Sequence, residues 1–240
     1  MTMRQVVEEI GGGTPLPFKA IQTGGPLGGC LPAEMLDTPI TYETMQELGS
    51  IMGSGGLIVM DESTCIVDMA RFFVNFACSE SCGNCTPCRN GTRILSDTLE
   101  RITRGEGDPE DLEILRRASE TMTKTSLCGL GQAAANPVLN SLNFFADEYE
   151  DHIALKFCRP AVCTELFEYT ILAERCTGCG LCRTVCEAGA IQGERKQLHK
   201  LDTAVCVKCK ACVHACAQCA IIGVPLGTQT VANQRQEAAL

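Results

Sequence analysis

The 240-residue chain has no tryptophan, three histidines, eight phenylalanines and three tyrosines. Aromatic side chains supply the largest single blocks of buried apolar area. The hydrophobic share of 45% also counts 18 cysteines, so hydrocarbon for a core is thin, and part of the stability must come from elsewhere. Basic residues are outnumbered, 20 against 29 acidic, for a net charge of −9. That argues against nucleic acid as a partner and against an anionic membrane surface, since both demand a basic face. No run of 18 apolar residues exists, so the sequence predicts no membrane-spanning helix. The opening MTMRQVVEEIGGG lacks a basic segment followed by an apolar one, so no secretory signal is read. The expected compartment is cytoplasmic, where thiols stay reduced and dense cysteine patterns mean metal or redox chemistry. No Ser/His/Asp or Cys/His nucleophile set is visible, and no catalytic residue is assigned.

What is present falls into stretches of different texture. Residues 1–61 are rich in Gly and Pro, with short apolar pieces at Phe18–Ile21 and Leu57–Met60 that read as strands and a helix near Tyr42–Met52. Residues 62–155 read as helices. One covers about 64–77, with Ile66, Met69, Ala70, Phe73 and Val74 on one face. A second carries Ile94, Leu95, Leu99 and Ile102 and ends near Gly105. Asp108-Pro109-Glu110 opens a third, through Leu112, Leu115, Ala118 and Met122. Asn136-Pro137 opens a fourth, through Val138, Leu142 and Phe145. Four helices with short links predict an antiparallel bundle. The acidic patches Glu106–Asp111 and Asp147–Asp151 read as solvated helix ends. Residues 156–172 read as a linker, 173–225 as a cysteine-rich unit, and 226–240 as a polar, frayed tail. The fold class expected is α+β and multidomain.

The cysteine-rich unit contains an internal repeat, CTGCGLCRTVC against CVKCKACVHAC. Cys176, Cys179, Cys182 and Cys186 have the spacing C-x₂-C-x₂-C-x₃-C, and Cys206, Cys209, Cys212 and Cys216 repeat it. Three thiolates so spaced wrap one corner of an iron–sulfur cube, and the fourth reaches the other cluster. The expected sets are therefore Cys176, Cys179, Cys182 and Cys216 on one [4Fe–4S] cluster, with Cys206, Cys209, Cys212 and Cys186 on a second. Paired structural zinc sites would show two separated C-x₂-C knuckles instead. The unit resembles bacterial two-cluster ferredoxins. It departs from them after the fourth cysteine of each copy, where Glu187 and Ala217 stand in place of the usual proline. Lys208 and Lys210 lie inside the second loop and His214 beside it. A cation there would favour the reduced cluster; equally, these side chains simply face water.

A second constellation, Cys82, Cys85 and Cys88 in ESCGNCTPCR, needs a distant fourth ligand, and Cys128 in SLCGLG is the best candidate. Spacing alone leaves zinc and [4Fe–4S] both open.

The runs TGGPLGGCLP, GSGGLIVMDESTCIVDMARFF, ESCGNCTPCRNGT and SLCGLGQAAANPV resemble the NADH-binding flavoprotein subunit of respiratory complex I and its soluble relatives. Those relatives are NAD(P)-linked, often electron-bifurcating [FeFe]-hydrogenases and NAD-dependent formate dehydrogenases. The resemblance covers residues 1 to about 155. It implies a partial β-grasp (ubiquitin-like) domain over 1–61 and a four-helix-bundle iron–sulfur domain over 62–155, with Cys82, Cys85, Cys88 and Cys128 on a [4Fe–4S] cluster. The appended ferredoxin-like unit brings the chain nearest the beta subunit of the bifurcating hydrogenases. The implied function is an electron-transfer module with three [4Fe–4S] clusters. It would relay single electrons between a flavin and NAD(P) site, soluble ferredoxin and a hydrogenase-like catalytic subunit, through a thioredoxin-like [2Fe–2S] subunit. The same module in a formate dehydrogenase, an autonomous ferredoxin-like carrier and a structural zinc adaptor are the rivals. The family's FMN and NADH site lies upstream, in a Rossmann-like domain. No G-x-G-x-x-G following a strand and opening a helix occurs here, and the glycine runs 11–13 and 53–56 fit turns. The chain is therefore expected to correspond to the C-terminal portion of a longer subunit.

Six cysteines remain. Cys158 and Cys163, with His152 and Cys30, are candidate ligands of a structural Zn²⁺ that would pin the hinge of the ferredoxin arm; equally, the two cysteines are ordinary buried thiols and His152 caps a helix end. Cys65 and Cys78 read as small buried hydrophobes, and Cys219 as packing. On this reading the chain alone holds no flavin: after iron–sulfur extraction its flavin absorbance is near zero, and stoichiometric FMN would contradict it.

Overall fold

The computed structural model describes residues 1–226; the tail read from the sequence lies, from Gly227 on, outside the described residues. The chain divides into two compact units, the first ending at Cys163 and the second beginning at Thr164.

In the first unit the apolar pieces become strands β1 (Phe18–Thr23), β2 (Cys30–Pro32) and β3 (Leu57–Asp61), all antiparallel in the order β2-β1-β3. Side chains alternate between the two faces of a strand. Ile21 and Leu31 therefore point to one face, into a core with Met3, Val7, Leu36 and Met45. Ala20, Cys30 and Met60 point to the other, against Ile66 and Phe145 of the helical part. Helix α1 (Tyr42–Glu47) begins at a capping box made by Thr41 and Thr44. It stops five residues short of the expected Met52, because the chain turns through a left-handed Gly49, at φ +70°.

The bundle helices are α2 (Ile66–Glu80), α3 (Thr86–Thr103), α4 (Glu110–Thr125) and α6 (Asn136–Phe144), with the short α5 (Gly129–Ala133) before α6 and α7 (Ala146–Glu150) after it. Contacts run α2 to α3, α3 to α4, α4 to α6 and α6 back to α2. The expected faces are largely the buried ones: Ile66, Ala70, Phe73 and Val74 on α2, then Leu95, Leu99 and Ile102 on α3. Ile94 instead is 44% exposed. A single turn, Asp151–Leu155, of wider π type follows α7 and carries His152.

The acidic patches are not simply solvated. Asp111 is fully buried and paired with Arg101. Arg159 bridges Asp147 and Asp151. Glu148 is buried, with its Oε1 2.6 Å from the almost equally buried Lys19 Nζ. Its Oε2 accepts the Ile66 N–H at 3.1 Å, capping α2, and Lys19 also donates to the Thr64 carbonyl at 2.6 Å. Charge at these positions is placed where unpaired backbone N–H groups and the helix dipole need it.

The second unit contains β4 (Glu168–Ile171), α8 (Leu181–Thr184), β5 (Ile191–Gln192), β6 (Lys200–Leu201), α9 (Ala211–Ala215) and β7 (Ile221–Val224). β4 pairs with β7 and β5 with β6, both antiparallel, and α8 packs against α9. Residues 164–172, part of the stretch read as a linker, thus enter this unit through β4. No helix among the described residues is long and apolar enough to cross a membrane.

The buried Lys19–Glu148 pair yields a test. Lys19→Met strands a carboxylate in the interior and lowers stability by about 3–5 kcal/mol, whereas adding Glu148→Gln restores most of it. Urea unfolding of the two variants measures this; equal losses would contradict the pairing.

Candidate metal centres

Cys82, Cys85 and Cys88 span the break between α2 and α3. Cys85 is the residue before the first turn of α3, and Cys128 stands in the same place before α5. Backbone donation by Leu127 and then by Cys88 holds the Cys85 thiol below its ordinary range. The Leu127 contact brings the Cys128 loop to Cys85. Gly131 brings it to Cys88 as well: a side chain at Gly131 would meet Cys88 Cβ at 3.1 Å and Ser126 Cβ at 2.7 Å. Ser126 is buried, and among the described residues its hydroxyl has no partner. A buried hydroxyl beside converging thiols fits a polar, sulfur-rich group held between them.

In the second unit, Cys176, Cys179, Cys182 and Cys216 line one cavity, of about 150 Å³. Cys206, Cys209, Cys212 and Cys186 line another. Each set joins three cysteines of one repeat copy to the last cysteine of the other. The loops that do this have left-handed backbone at Gly178 and Gly180 in the first copy, and at Lys208 and Lys210 in the second. Lysine adopts that conformation only at a cost, so other contacts must hold it. The Lys208 ammonium donates to the Thr164 carbonyl and sits 5.3 Å above the Phe167 ring. Lys210 lines the second cavity. Burial, then the neighbouring thiols, push the Tyr169 hydroxyl in that cavity up to about 12.

A further donor cluster closes the first unit. Cys65, His152, Cys158 and Cys163 are all buried, with their ligand atoms within 4.8 Å of one another. The separations are 3.8 Å between the sulfurs of Cys65 and Cys163, and 3.3 and 3.4 Å from these sulfurs to His152 Nε2. A tetrahedral ion with ordinary zinc–ligand bonds sets these edges at about 3.8 and about 3.6 Å. His152 Nδ1 lies 2.7 Å from the Glu148 carbonyl; donation there turns the Nε2 lone pair toward the sulfurs. Hydrogen bonds from Cys163 and then Cys65 pull the Cys158 thiol far down, while the same contacts push Cys163 and Cys65 up.

Of the four zinc ligands expected from the sequence, the structure brings together His152, Cys158 and Cys163. Cys30 lies apart, on the sheet face with Ala20, Met60 and Ile66. Burial pushes its thiol up to about 12, as suits a packing residue. The fourth member is Cys65, which precedes the first turn of α2 and accepts the Asp68 N–H at 3.5 Å. The signal was its place at a helix start, where an oxygen side chain is the usual occupant.

Comparison with known proteins follows the same division. Residues 68–152 match the NADH-ubiquinone oxidoreductase-F iron-sulfur binding region, and residues 169–192 match the 4Fe-4S binding domain. The chain is 50% identical over 201 residues to the NADP-reducing hydrogenase subunit HndC of Solidesulfovibrio fructosivorans, covering 83% of this chain and 41% of that one. It is 38% identical over 159 residues to the F-type subunit of NADH-quinone oxidoreductase from Streptomyces coelicolor, covering 66% of this chain and 35% of that one. Among solved structures, an NAD+-reducing [NiFe]-hydrogenase in the H2-reduced state aligns with a TM-score of 0.58 and 33% identity, over 64% of this chain and 26% of that one. The chain thus spans well under half the length of these relatives. It is a homologue of the NADP-reducing hydrogenase subunit and of the F-type subunits of NADH-quinone oxidoreductase, joining their iron–sulfur binding region to a 4Fe-4S binding domain.

Proposed function

We propose that the chain is an electron-transfer module with three [4Fe–4S] clusters. Cys82, Cys85, Cys88 and Cys128 hold one; Cys176, Cys179, Cys182 and Cys216 hold the second; Cys206, Cys209, Cys212 and Cys186 hold the third. The observation that carries this is the crossed grouping of eight repeat cysteines around two cavities, each completed by a cysteine of the other copy. Iron–sulfur clusters supply one-electron exchange without bond making. The residues here supply thiolates, backbone N–H groups toward Cys85, and apolar walls such as Ile171 and Ile221.

In this reading the sheet of the first unit is the β-grasp part and its helices are the bundle iron–sulfur part of a longer flavoprotein subunit. The second unit is the ferredoxin-like part. Electrons pass between a flavin and NAD(P) site outside this chain, a soluble ferredoxin and a hydrogenase-type catalytic subunit with its thioredoxin-like [2Fe–2S] companion. The net charge of −9 is consistent with partners that are proteins rather than nucleic acid.

Cys65, His152, Cys158 and Cys163 hold a structural Zn²⁺. At this position all four protein donors are buried, as in non-catalytic zinc sites, which keep no open position. It lies at the last residues of the first unit, directly before the second begins.

Metal analysis of anaerobically prepared chain tests both parts. About 12 iron atoms are expected per chain, from three cubes of four, together with about one zinc. Cys65→Ser and Cys158→Ser lose the zinc, while Cys30→Ser retains it. A folded, iron-free chain overturns the electron-transfer reading. Zinc that survives Cys65→Ser but not Cys30→Ser overturns the ligand set.

A further inference from the structure

His199 is 2% exposed, and among the described residues neither of its ring nitrogens has a hydrogen-bond partner. A neutral imidazole carries one N–H in either tautomer, and buried donors are almost always paired. The ring lines the cavity formed by Cys176, Cys179, Cys182 and Cys216. The walls beside it are hydrocarbon, from Ile171, Leu181 and Ile221. The polar side chains that share the cavity besides the four cysteines, Thr177 and Gln218, are exposed, so the acceptors it offers a buried donor include its sulfurs.

The ring is held in place by backbone. His199 closes the loop between β5 and β6, and a side chain at Gly193, across that loop, would strike the imidazole at 3.2 Å. The loop is tied to the first cysteine motif by the Lys196 N–H, which donates to the Gly178 carbonyl at 2.8 Å. Arg183 of α8 donates to the Gly193 carbonyl at 2.9 Å. Such a position does not relax to find another partner.

The internal repeat supplies a second line of support. His199 stands seven residues before Cys206, and Tyr169 stands seven before Cys176. The two are equivalent in the repeat, and each lines the cavity that holds three cysteines of the other copy. One cavity receives a phenol, packed edge-on against Phe167; the other receives an imidazole. We propose that His199 is a positioning residue that donates its N–H to the sulfur-rich group held by Cys176, Cys179, Cys182 and Cys216, and thereby raises the reduction potential of that centre. Donation to sulfur stabilises the reduced, more negative state, which is one of the protein's levers on cluster potential. The proposal rests on the cluster reading above.

The test is an anaerobic EPR redox titration of the full chain, wild type against H199F and H199Q, with iron measured in each. H199F is expected to lower the midpoint of one ferredoxin-type signal. The shift should be about tenfold in the reduction equilibrium, or about 59 mV for one electron. H199Q, which keeps an N–H, recovers part of it, and the other signals stay in place. With ¹⁵N-histidine labelling, the reduced wild-type chain shows a nitrogen coupling in pulsed EPR that H199F lacks. An iron-replete H199F chain with unchanged midpoints overturns the inference alone. Should H199F fail to take up iron, the labelled wild-type chain decides, and absence of the coupling overturns the inference. A wild-type chain without iron overturns the cluster reading and this inference with it.

Discussion

Thiolates cannot crowd together without a cation between them, and this constraint governs the whole molecule. The Cys65, Cys158 and Cys163 group displays it directly: one thiol is driven toward ionisation by its neighbours while the other two are driven away from it. A divalent ion removes the conflict by giving every sulfur the same positive neighbour. The same logic applies wherever four cysteines converge on one cavity. Because ligands must deprotonate and converge in the same event, metal binding at these places, in the proposed reading, would also be folding free energy. That would supply stability which a chain without tryptophan and with few aromatics cannot draw from apolar burial alone.

The polypeptide prepares for this with ordinary backbone chemistry. Glu148 serves three elements at once. One carboxylate oxygen meets Lys19 on β1, the other caps α2 at Ile66, and its carbonyl faces His152 Nδ1. Strand, helix and donor cluster are thereby fixed to one residue, and the helix it caps begins directly after Cys65. A buried ion pair is poor evidence for stability in itself, since desolvation offsets attraction. Its value here is positional: it sets where α2 starts, and so where the Cys65 sulfur lies.

Much of this was legible in the sequence, for physical reasons that differ by feature. Cysteine spacing is local, so the repeat motifs and the ESCGNCTPCR loop could be read directly. Helix faces such as Ile66, Ala70, Phe73 and Val74 follow from a period that burial enforces. Less legible was everything that depends on which distant segments meet. Cys30 and Cys65 are both lone cysteines between strand-like and helical stretches. Choosing between them requires the sheet register that turns Cys30 toward Ala20 and Met60. Glu148 and Asp111 look like surface acids in sequence, because their cations, Lys19 and Arg101, lie elsewhere in the chain. His199 sits in a polar run, GERKQLHK, that by composition reads as a solvated turn. Only the packing of that turn on the first cysteine loop buries it.

The repeat also separates fold from electrostatics. Both copies need left-handed backbone at the same two loop positions, yet the first supplies glycines and the second lysines. Glycine meets the requirement without strain, so lysine is not there for the turn. Lys208 reaches across to the Thr164 carbonyl and the Phe167 ring, and Lys210 faces the second cavity. The positions seven residues before each cysteine motif diverge in the same way, to Tyr169 and His199. Two sites with one geometry would share one potential, and an electron would have no preferred residence between them. In the proposed reading, fixed charges and donors that differ between the copies would break that degeneracy while the thiolate sets stay alike. On that reading, a duplicated fold can thus hold two centres at different potentials.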